Sequence, residues 1–249
     1  MNNKSRNSSL LLCCLLATGL ISGCSGQVKK QEASNYNSEL GVRYLQKGRL
    51  QLANDKLTKA LEQDPKSAQT NHYYALLQQR LGNNKLASKH FLKAIAIDPK
   101  NSDIHNNYGS YLCKNKQPHA AVRQFLIAVK DPLYRTPAYA YTNAGICLRK
   151  SNNHAKAEKY FRLALKKHSA FPSALFEMAK LYKDKGNYSK AQAFMLRYET
   201  VGKSTPEALE LCVDINSKMR NEAKAGSCKS ALLRLFPSSS EAEKINRLL

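Results

Sequence analysis

Apolar and small residues recur along this chain with a spacing of 34 residues, apart from one step of 36 between the third and fourth repeats. One row holds alanines, a second holds large apolar residues, and a third holds alanines again. The three rows are Ala53, Ala87, Ala121, Ala157 and Ala191; Leu57, Phe91, Phe125, Phe161 and Met195; and Ala60, Ala94, Ala128 and Ala164. Small residues let two antiparallel helices approach closely, and the large residues fill the space beside them. The pattern therefore predicts repeated helix pairs, with these rows on the second helix of each pair.

The first helix of each pair carries an apolar residue followed by a small one. These dipeptides are Leu40-Gly41, Tyr74-Ala75, Tyr108-Gly109, Ala144-Gly145 and Met178-Ala179. The turn between the helices contains Gly48, Gly82 and Gly186, with Asn152 in that place in the fourth repeat. These spacings resemble the tetratricopeptide repeat. The resemblance implies an all-α fold, a right-handed superhelical solenoid of about six helix-turn-helix repeats.

Five repeats are predicted, and a divergent sixth unit follows them. The five occupy residues 34–67, 68–101, 102–137, 138–171 and 172–205. The third is two residues too long, and its excess falls in 131–137, where two prolines predict an extended or turned connection. Residues 206–249 predict a divergent sixth repeat and a C-terminal capping helix, as terminal repeats tend to provide.

The N-terminus has the pattern of an export signal. Lys4 and Arg6 precede an apolar run at 10–21, which is too short to span a membrane as a mature helix. The following residues, Ile-Ser-Gly-Cys at 21–24, resemble the bacterial lipoprotein box. We therefore predict a lipoprotein signal peptide at 1–23; an ordinary signal peptide with a chance cysteine is the alternative.

The lipobox resemblance implies that Cys24 is lipidated and becomes the first residue of the mature chain. Residues 24–33 are then a lipidated tether. Residue 25 is Ser25 rather than aspartate, which by resemblance to lipoprotein sorting implies the outer membrane rather than the inner one. The expected location is outer-membrane and lipid-anchored, facing the periplasm.

Charge limits the expected partners. The chain has a formal net charge of +22, and its lysines and arginines occur in every repeat. Such a charge suits nucleic acid, anionic lipid or an acidic partner. An exported chain does not meet nucleic acid, so no nucleic-acid partner is predicted. A solvated basic face is favoured over electrostatic steering to a partner or membrane.

Four cysteines remain outside the signal and the lipidation site: Cys113, Cys147, Cys212 and Cys228. An even number in an exported chain favours disulfides. Cys212 and Cys228 are expected to face each other across one helical hairpin, and that bridge is worth roughly 3 kcal/mol in the chain-entropy model. Cys113 and Cys147 lie on neighbouring first helices, where they pair or remain buried thiols. A zinc site is disfavoured because the cysteines lack paired C-x-x-C spacing.

The chain shows no pattern typical of an enzyme. Its histidines, His72, His90, His105, His119, His154 and His168, fall at unrelated repeat positions. No phosphate loop, HExxH motif or Ser-His-Asp order is found in the sequence. We therefore predict no catalysis, no cofactor, no metal and no small-molecule substrate.

Repeat stacks of this kind bind partners in the groove lined by their first helices. The helix positions that face the groove give the predicted partner-binding residues, Val42, Leu45, His72, Leu76 and Asn106. The N-terminal end of the groove is then apolar, which suits a helix or an extended peptide, and the C-terminal end is basic. The alternative is that Val42 and Leu45 only pack against the neighbouring repeat.

Three strings resemble one family specifically: NNYGSYLC, DPLYRTPAYAYTNAGICLR and FPSALFEMAKLYKDKGNYSKAQAFMLRY. Together with the lipobox and the repeats they resemble the type IV pilus biogenesis and stability lipoproteins, the PilW/PilF family. The resemblance covers residues 34–200. It implies a pilotin, which binds the pilus secretin subunit and promotes its outer-membrane localisation and multimerisation. The alternatives are a general periplasmic scaffold for envelope assembly and an adaptor for a cell-wall enzyme.

Overall fold

The structure is a computed structural model that describes the backbone of residues 8–247 and the side chains of residues 27–247. This part of the chain forms α-helices and contains no β-strand. The helices are α1 (Ser8–Gln46), α2 (Leu50–Gln63), α3 (Ala68–Arg80), α4 (Asn84–Ile97), α5 (Ser102–Lys114), α6 (Pro118–Ala128), α7 (Pro137–Lys150), α8 (His154–Lys167), α9 (Pro172–Asp184), α10 (Tyr188–Val201), α11 (Pro206–Lys218), α12 (Glu222–Leu235) and α13 (Ser240–Asn246). The predicted all-α fold is confirmed.

Contacts divide the chain into two compact units, residues 1–104 and residues 105–249. We call them the N-terminal unit and the C-terminal unit. The first contains α1 to α4, and the second contains α6 to α13 and most of α5.

The core of the N-terminal unit is built by the predicted rows of small and large residues. In α2, Leu57 is fully buried between Ala53 and Ala60, which are fully buried too. A Cβ atom at Gly41 would lie 2.6 Å from Leu57 Cγ, so α1 and α2 approach closely only because residue 41 has no side chain. The sizes of the residues in these rows therefore set the distance between α1 and α2.

The same arrangement builds the core of the C-terminal unit. Phe125 of α6 and Phe161 of α8 are the large residues, and both are buried completely or nearly so. Gly109 and Gly145 face them, since an added Cβ would lie 2.7 Å from the Phe125 ring and 2.4 Å from the Phe161 ring. Each aromatic ring therefore occupies the space that a larger residue on the first helix would need.

The turns inside the helix pairs require a left-handed backbone. Glycine provides it at Gly48, Gly82 and Gly186, whose φ angles are 72°, 80° and 70°. The other pairs place Lys116, Asn152 and Arg220 there, at φ angles of 58°, 60° and 56°. A left-handed residue with a side chain costs roughly 1–2 kcal/mol relative to glycine, and asparagine costs less than lysine or arginine. Asn152 was the one non-glycine residue that the sequence pattern placed in this role.

The connection between α6 and α7 is a turn rather than a helix. The Leu133 amide donates a hydrogen bond to Asp131 Oδ1 at 2.9 Å, and Pro137 begins α7. The Leu133 side chain is 84% exposed. Proline suits the first helical position, because its missing N–H would have no partner there.

Helix α1 extends upstream of the first predicted repeat. Residues 27–32, which belong to the segment predicted as a tether, are helical and exposed. Packing begins at Ser34, whose hydroxyl donates a hydrogen bond to the Ala60 carbonyl at 2.9 Å. The signal peptide predicted at 1–23 and the lipidation predicted at Cys24 fall outside the residues whose side chains are described. Within the part of the chain whose side chains are described, no helix is both long enough and apolar enough to cross a membrane.

Two disulfides join helices of the C-terminal unit. Cys113 of α5 is bonded to Cys147 of α7, with a Cα–Cα distance of 5.6 Å. Cys212 of α11 is bonded to Cys228 of α12, with a Cα–Cα distance of 6.1 Å. The first bridge links the first helices of two successive pairs, whereas the second closes a single pair.

Candidate protein-binding surfaces

The predicted groove residues of the N-terminal unit include two apolar side chains that are only partly buried. Val42 of α1 and Leu76 of α3 are 34 residues apart, so they take the same position in successive repeats. The two helices are in contact with each other. Leu76 packs on the edge of a buried cluster that includes Leu57 and Leu77, and part of its side chain remains exposed. Val42 and Leu76 thus present partly exposed apolar surface on two adjacent helices.

Leu45 lies in the core rather than on an accessible surface. Its exposure is 5%, and it packs with Leu57 and Leu77. The guanidinium of Arg80 donates a hydrogen bond to the Leu45 carbonyl at 2.8 Å, which ties α3 to the end of α1. For Leu45, packing against the neighbouring repeat therefore replaces the predicted groove role.

His72 also lies mostly inside the protein, with 6% exposure. Its ring stacks on Tyr73, at a centroid distance of 5.5 Å, and lies 6.1 Å from Phe91. Burial lowers the pKa of His72 to about 4. The imidazole is consequently neutral at pH 7, and it packs against aromatic side chains rather than offering a charge to a ligand.

The burial of His72 predicts a stability loss in acid. An unfolded chain binds a proton at this histidine near pH 6.5, whereas the folded chain does so only near pH 4. The free energy of unfolding is therefore highest above pH 6.5 and decreases as the pH drops towards 4. At pH 5 this decrease amounts to about 2 kcal/mol. Between pH 7.5 and pH 5, we expect the free energy of unfolding of the His72→Gln variant to fall by about 2 kcal/mol less than that of the parent. Urea unfolding at both pH values measures this difference, and equal losses would contradict the assignment.

Asn106, the predicted groove residue of the C-terminal unit, takes part in a contact between helices. Its side-chain oxygen accepts a hydrogen bond from the Asn143 amide at 3.1 Å, which joins α5 to α7. Its backbone carbonyl accepts a bond from the Ser110 hydroxyl at 3.1 Å. Asn106 is half-buried, so its first role is to hold two neighbouring helices together.

The predicted basic end of the groove is largely neutralised. Arg149 of α7 donates hydrogen bonds to Glu177 at 3.1 Å and to Asp184 at 2.9 Å, both on α9. The Arg149 and Glu177 side chains are only 14% and 11% exposed. This ion pair was not part of the sequence prediction, since the carboxylates lie 28 and 35 residues away from the arginine.

The lysines at this end are paired as well. Lys180 Nζ lies 3.7 Å from Glu177 Oε1, and Lys183 Nζ lies 2.9 Å from Asp214 Oδ2 of α11. Instead of an unpaired positive groove end, this region contains ion pairs that join α7 to α9 and α9 to α11, and one pair within α9. These residues stabilise the C-terminal unit, and they leave little net charge for a ligand there.

Removing the Arg149 guanidinium should therefore destabilise the fold. In the Arg149→Met variant the aliphatic part of the side chain remains, while two carboxylates lose a charged donor. We expect the free energy of unfolding to fall by about 2 kcal/mol, as for hydrogen bonds to charged groups in a mostly buried site. Lys150→Met changes an exposed neighbour on the same helix and is the matched control. Equal effects of the two substitutions in urea unfolding would contradict a structural role for the pair.

Comparison with known proteins identifies the family. The tetratricopeptide repeat family matches residues 38–102 and 109–174, together more than half of the chain. Further tetratricopeptide repeat matches cover residues 90–123 and 172–199. The chain is also 31% identical over 238 residues to the type IV pilus assembly protein PilF of Pseudomonas aeruginosa, covering 92% of this chain and 94% of that protein. This chain belongs to the PilF/PilW family.

Solved structures agree with PilF/PilW membership. The crystal structure of PilW, a type IV pilus biogenesis factor, matches with a TM-score of 0.77 and 29% identity, over 85% of this chain and 97% of that one. The structure of Pseudomonas aeruginosa PilF matches with a TM-score of 0.75 and 30% identity, over 89% and 100%. The chain is thus a tetratricopeptide repeat protein of the type IV pilus biogenesis family.

In this PilF/PilW family protein one cluster has the composition of a metal site. Glu199, Cys212 and Cys228 each place a candidate ligand atom within 4.8 Å of the other two. The two sulfur atoms are bonded to each other, so neither is a thiolate that could coordinate a metal. The cluster is therefore a disulfide with a neighbouring carboxylate.

Proposed function

We propose that this chain is a pilotin of the type IV pilus machinery. It binds the secretin subunit and promotes its localisation to the outer membrane and its multimerisation there. The observation that carries the proposal is the similarity to PilF, which extends over 92% of the chain. Tetratricopeptide repeats act by binding other proteins, so the proposed mechanism is binding rather than chemistry.

The secretin segment is proposed to contact the helix-A surface of the N-terminal unit, defined here by Val42 and Leu76. Both side chains are apolar and partly exposed, and both lie at one repeated position on adjacent helices. Covering apolar surface contributes roughly 25 cal/mol per Å² before the costs of ordering are subtracted. An amphipathic helix or an extended apolar segment would suit this surface.

The anchor is the second part of the proposal. Lipidation of Cys24 would attach the chain to the outer membrane and let it carry the secretin subunit across the periplasm. One acyl chain binds a membrane only marginally, whereas several chains give a stable anchor. We therefore expect Cys24→Ala to leave the fold unchanged, to release the chain from the membrane fraction and to mislocalise secretin multimers.

Deletion of the gene tests the pilotin role directly. Secretin multimers are scored in separated outer-membrane and inner-membrane fractions, with the gene restored on a plasmid as the control. The expected result is loss of multimers from the outer membrane, reversed by complementation. Normal multimers in the correct membrane would overturn the proposal and favour a general scaffold or an adaptor for a cell-wall enzyme.

A single substitution tests the helix-A surface. Val42→Glu places a charge on a partly exposed apolar position. We expect co-purification of the secretin subunit to fall at least ~10-fold, because burying an unpaired carboxylate is costly. Val28→Glu is the matched control, since Val28 lies on the same helix and is 56% exposed. Circular dichroism and melting temperature establish that both variants are folded. Full secretin binding by folded Val42→Glu would exclude this surface as the site.

A further inference from the structure

The positive charge of the chain is concentrated in part of the C-terminal unit. Residues 105–171, which contain α6, α7 and α8, hold 12 lysines and arginines but only 2 acidic residues. Those two are Asp131 and Glu158. Arg149 is paired with carboxylates of α9, and Arg162 is paired with Glu158. Excess charge of one sign in a short segment destabilises a compact fold through repulsion, so the remaining cations call for a reason other than stability.

The two acidic residues of this segment neutralise only a small part of its positive charge. Asp131 accepts a hydrogen bond from the Leu133 amide in the turn before α7. Glu158 of α8 accepts hydrogen bonds from the Tyr182 hydroxyl at 2.7 Å, from Arg162 at 2.8 Å and from Lys185 at 3.0 Å. Partial burial alone would raise the pKa of Glu158, but these three donors outweigh it and lower the pKa to about 2. Of the two cations that Glu158 binds, Arg162 belongs to this segment and Lys185 lies outside it.

A cavity of about 310 Å³ lies among α6, α7 and α8, within the same segment. Its floor is apolar and consists of Val122, Leu148 and Tyr160. Tyr160 is half-buried and stacks on Tyr141 at a centroid distance of 6.5 Å, which holds the ring in place. The floor is thus a preformed apolar surface between helices.

The rim of this cavity is entirely cationic or titratable. It consists of His119, Arg123, Lys156 and Lys159. No carboxylate lines the cavity, and Glu158, the acidic residue beside Lys159, bonds to groups that do not line it. In addition, the N-cap residue of α6, Gln117, provides no side-chain hydrogen bond, so the positive end of that helix also lies beside His119. We call this site the basic pocket.

We propose that the basic pocket binds an acidic segment of a partner protein, in which a carboxylate side chain neighbours an apolar one. The apolar side chain would cover the floor, while Arg123 and Lys159 would bind the carboxylate. A recess between helices admits single side chains, whereas a lipid bilayer contacts surfaces that project, which favours a peptide over a membrane. The site is separate from the helix-A surface and does not depend on the identity of the secretin as a partner.

Because the sequence contains no tryptophan, a single introduced tryptophan is a specific fluorescence reporter. Tyr160→Trp introduces one tryptophan in the pocket wall, and its emission reports occupancy. Random peptides displayed on phage are selected on the full chain and, in parallel, on the Arg123→Gln/Lys159→Gln variant. Synthetic copies of the enriched peptides are then titrated against both proteins carrying the reporter. Melting temperatures establish that each variant remains folded.

The matched control is Lys203→Gln/Lys218→Gln, which removes two exposed lysines of the same unit outside the pocket. We expect the enriched peptides to pair acidic and apolar residues and to bind at least ~10-fold more weakly to Arg123→Gln/Lys159→Gln, but not to the control. Binding should also weaken with added salt. Peptides that fail to distinguish the two double variants would overturn the proposal. So would a reporter response to phosphatidylglycerol vesicles or inorganic phosphate but to no peptide.

Discussion

Replacing Cys113 and Cys147 together by alanine is expected to lower the free energy of unfolding by about 4 kcal/mol. The bridge joins residues that are 34 apart in the chain, and in the chain-entropy model a longer closed loop restrains the unfolded state more strongly. It also connects α5 to α7 directly, beside the hydrogen bond between Asn143 and Asn106. Breaking it therefore weakens the contact between two successive helix pairs.

Urea unfolding of parent and variant without reductant measures this loss. Cys212→Ala/Cys228→Ala is the comparison, because its bridge spans 16 residues and should contribute about 3 kcal/mol. Hydrogen exchange distinguishes the two: the first variant should lose protection in α5 and α7, the second in α11 and α12. If reductant left the parent's stability unchanged, the bridges would contribute nothing and the expectation would be wrong.

The helix pairs could be predicted from the sequence because their packing depends on residue size at fixed spacings. Leu57, Phe91, Phe125 and Phe161 recur with the alanines around them, and each is buried almost completely in the structure. No distant contact is needed to recognise such a row. The fold class therefore followed from local pattern alone, as it does for repeat architectures in general.

The accessible surface was harder to predict, since helix periodicity gives the direction of a side chain but not what lies above it. Leu45 has the spacing of a groove residue, yet Leu57 and Leu77 cover it. His72 also takes a groove-facing position in its helix, yet it is buried beside Tyr73. Of the predicted apolar groove residues, Val42 and Leu76 keep exposed surface because the packing around them is less complete.

Ion pairs between helices also could not be predicted from the sequence. Arg149 meets Glu177 and Asp184 only once α7 and α9 are placed side by side. The sequence pattern predicts a basic C-terminal end of the groove, but it does not predict which carboxylates neutralise Arg149, Lys180 and Lys183 there. The basic pocket shows the opposite outcome, because Arg123 and Lys159 come together without such a partner among the residues that line it.

Gly145→Val is expected to lower the free energy of unfolding by about 3 kcal/mol, because it forces a side chain into an occupied core. Even the Cβ atom would lie 2.4 Å from Phe161 Cε1, and the Phe161 ring is fully buried. Relief requires that α7 move away from α8 or that the ring leave its position. Both changes separate the helices of one repeat, so the cost exceeds any gain from replacing a helical glycine.

Gly226→Ala shows that this cost comes from packing and not from helix propensity. Gly226 lies inside α12, where an added Cβ would meet no atom within 4 Å, so alanine should stabilise the chain by about 0.5–1 kcal/mol. The two substitutions should thus shift the urea midpoint in opposite directions. Phe161→Leu combined with Gly145→Val should recover part of the loss, since a smaller side chain leaves room for the valine. If the valine variant were as stable as the parent, the row of small residues would not set the distance between helices.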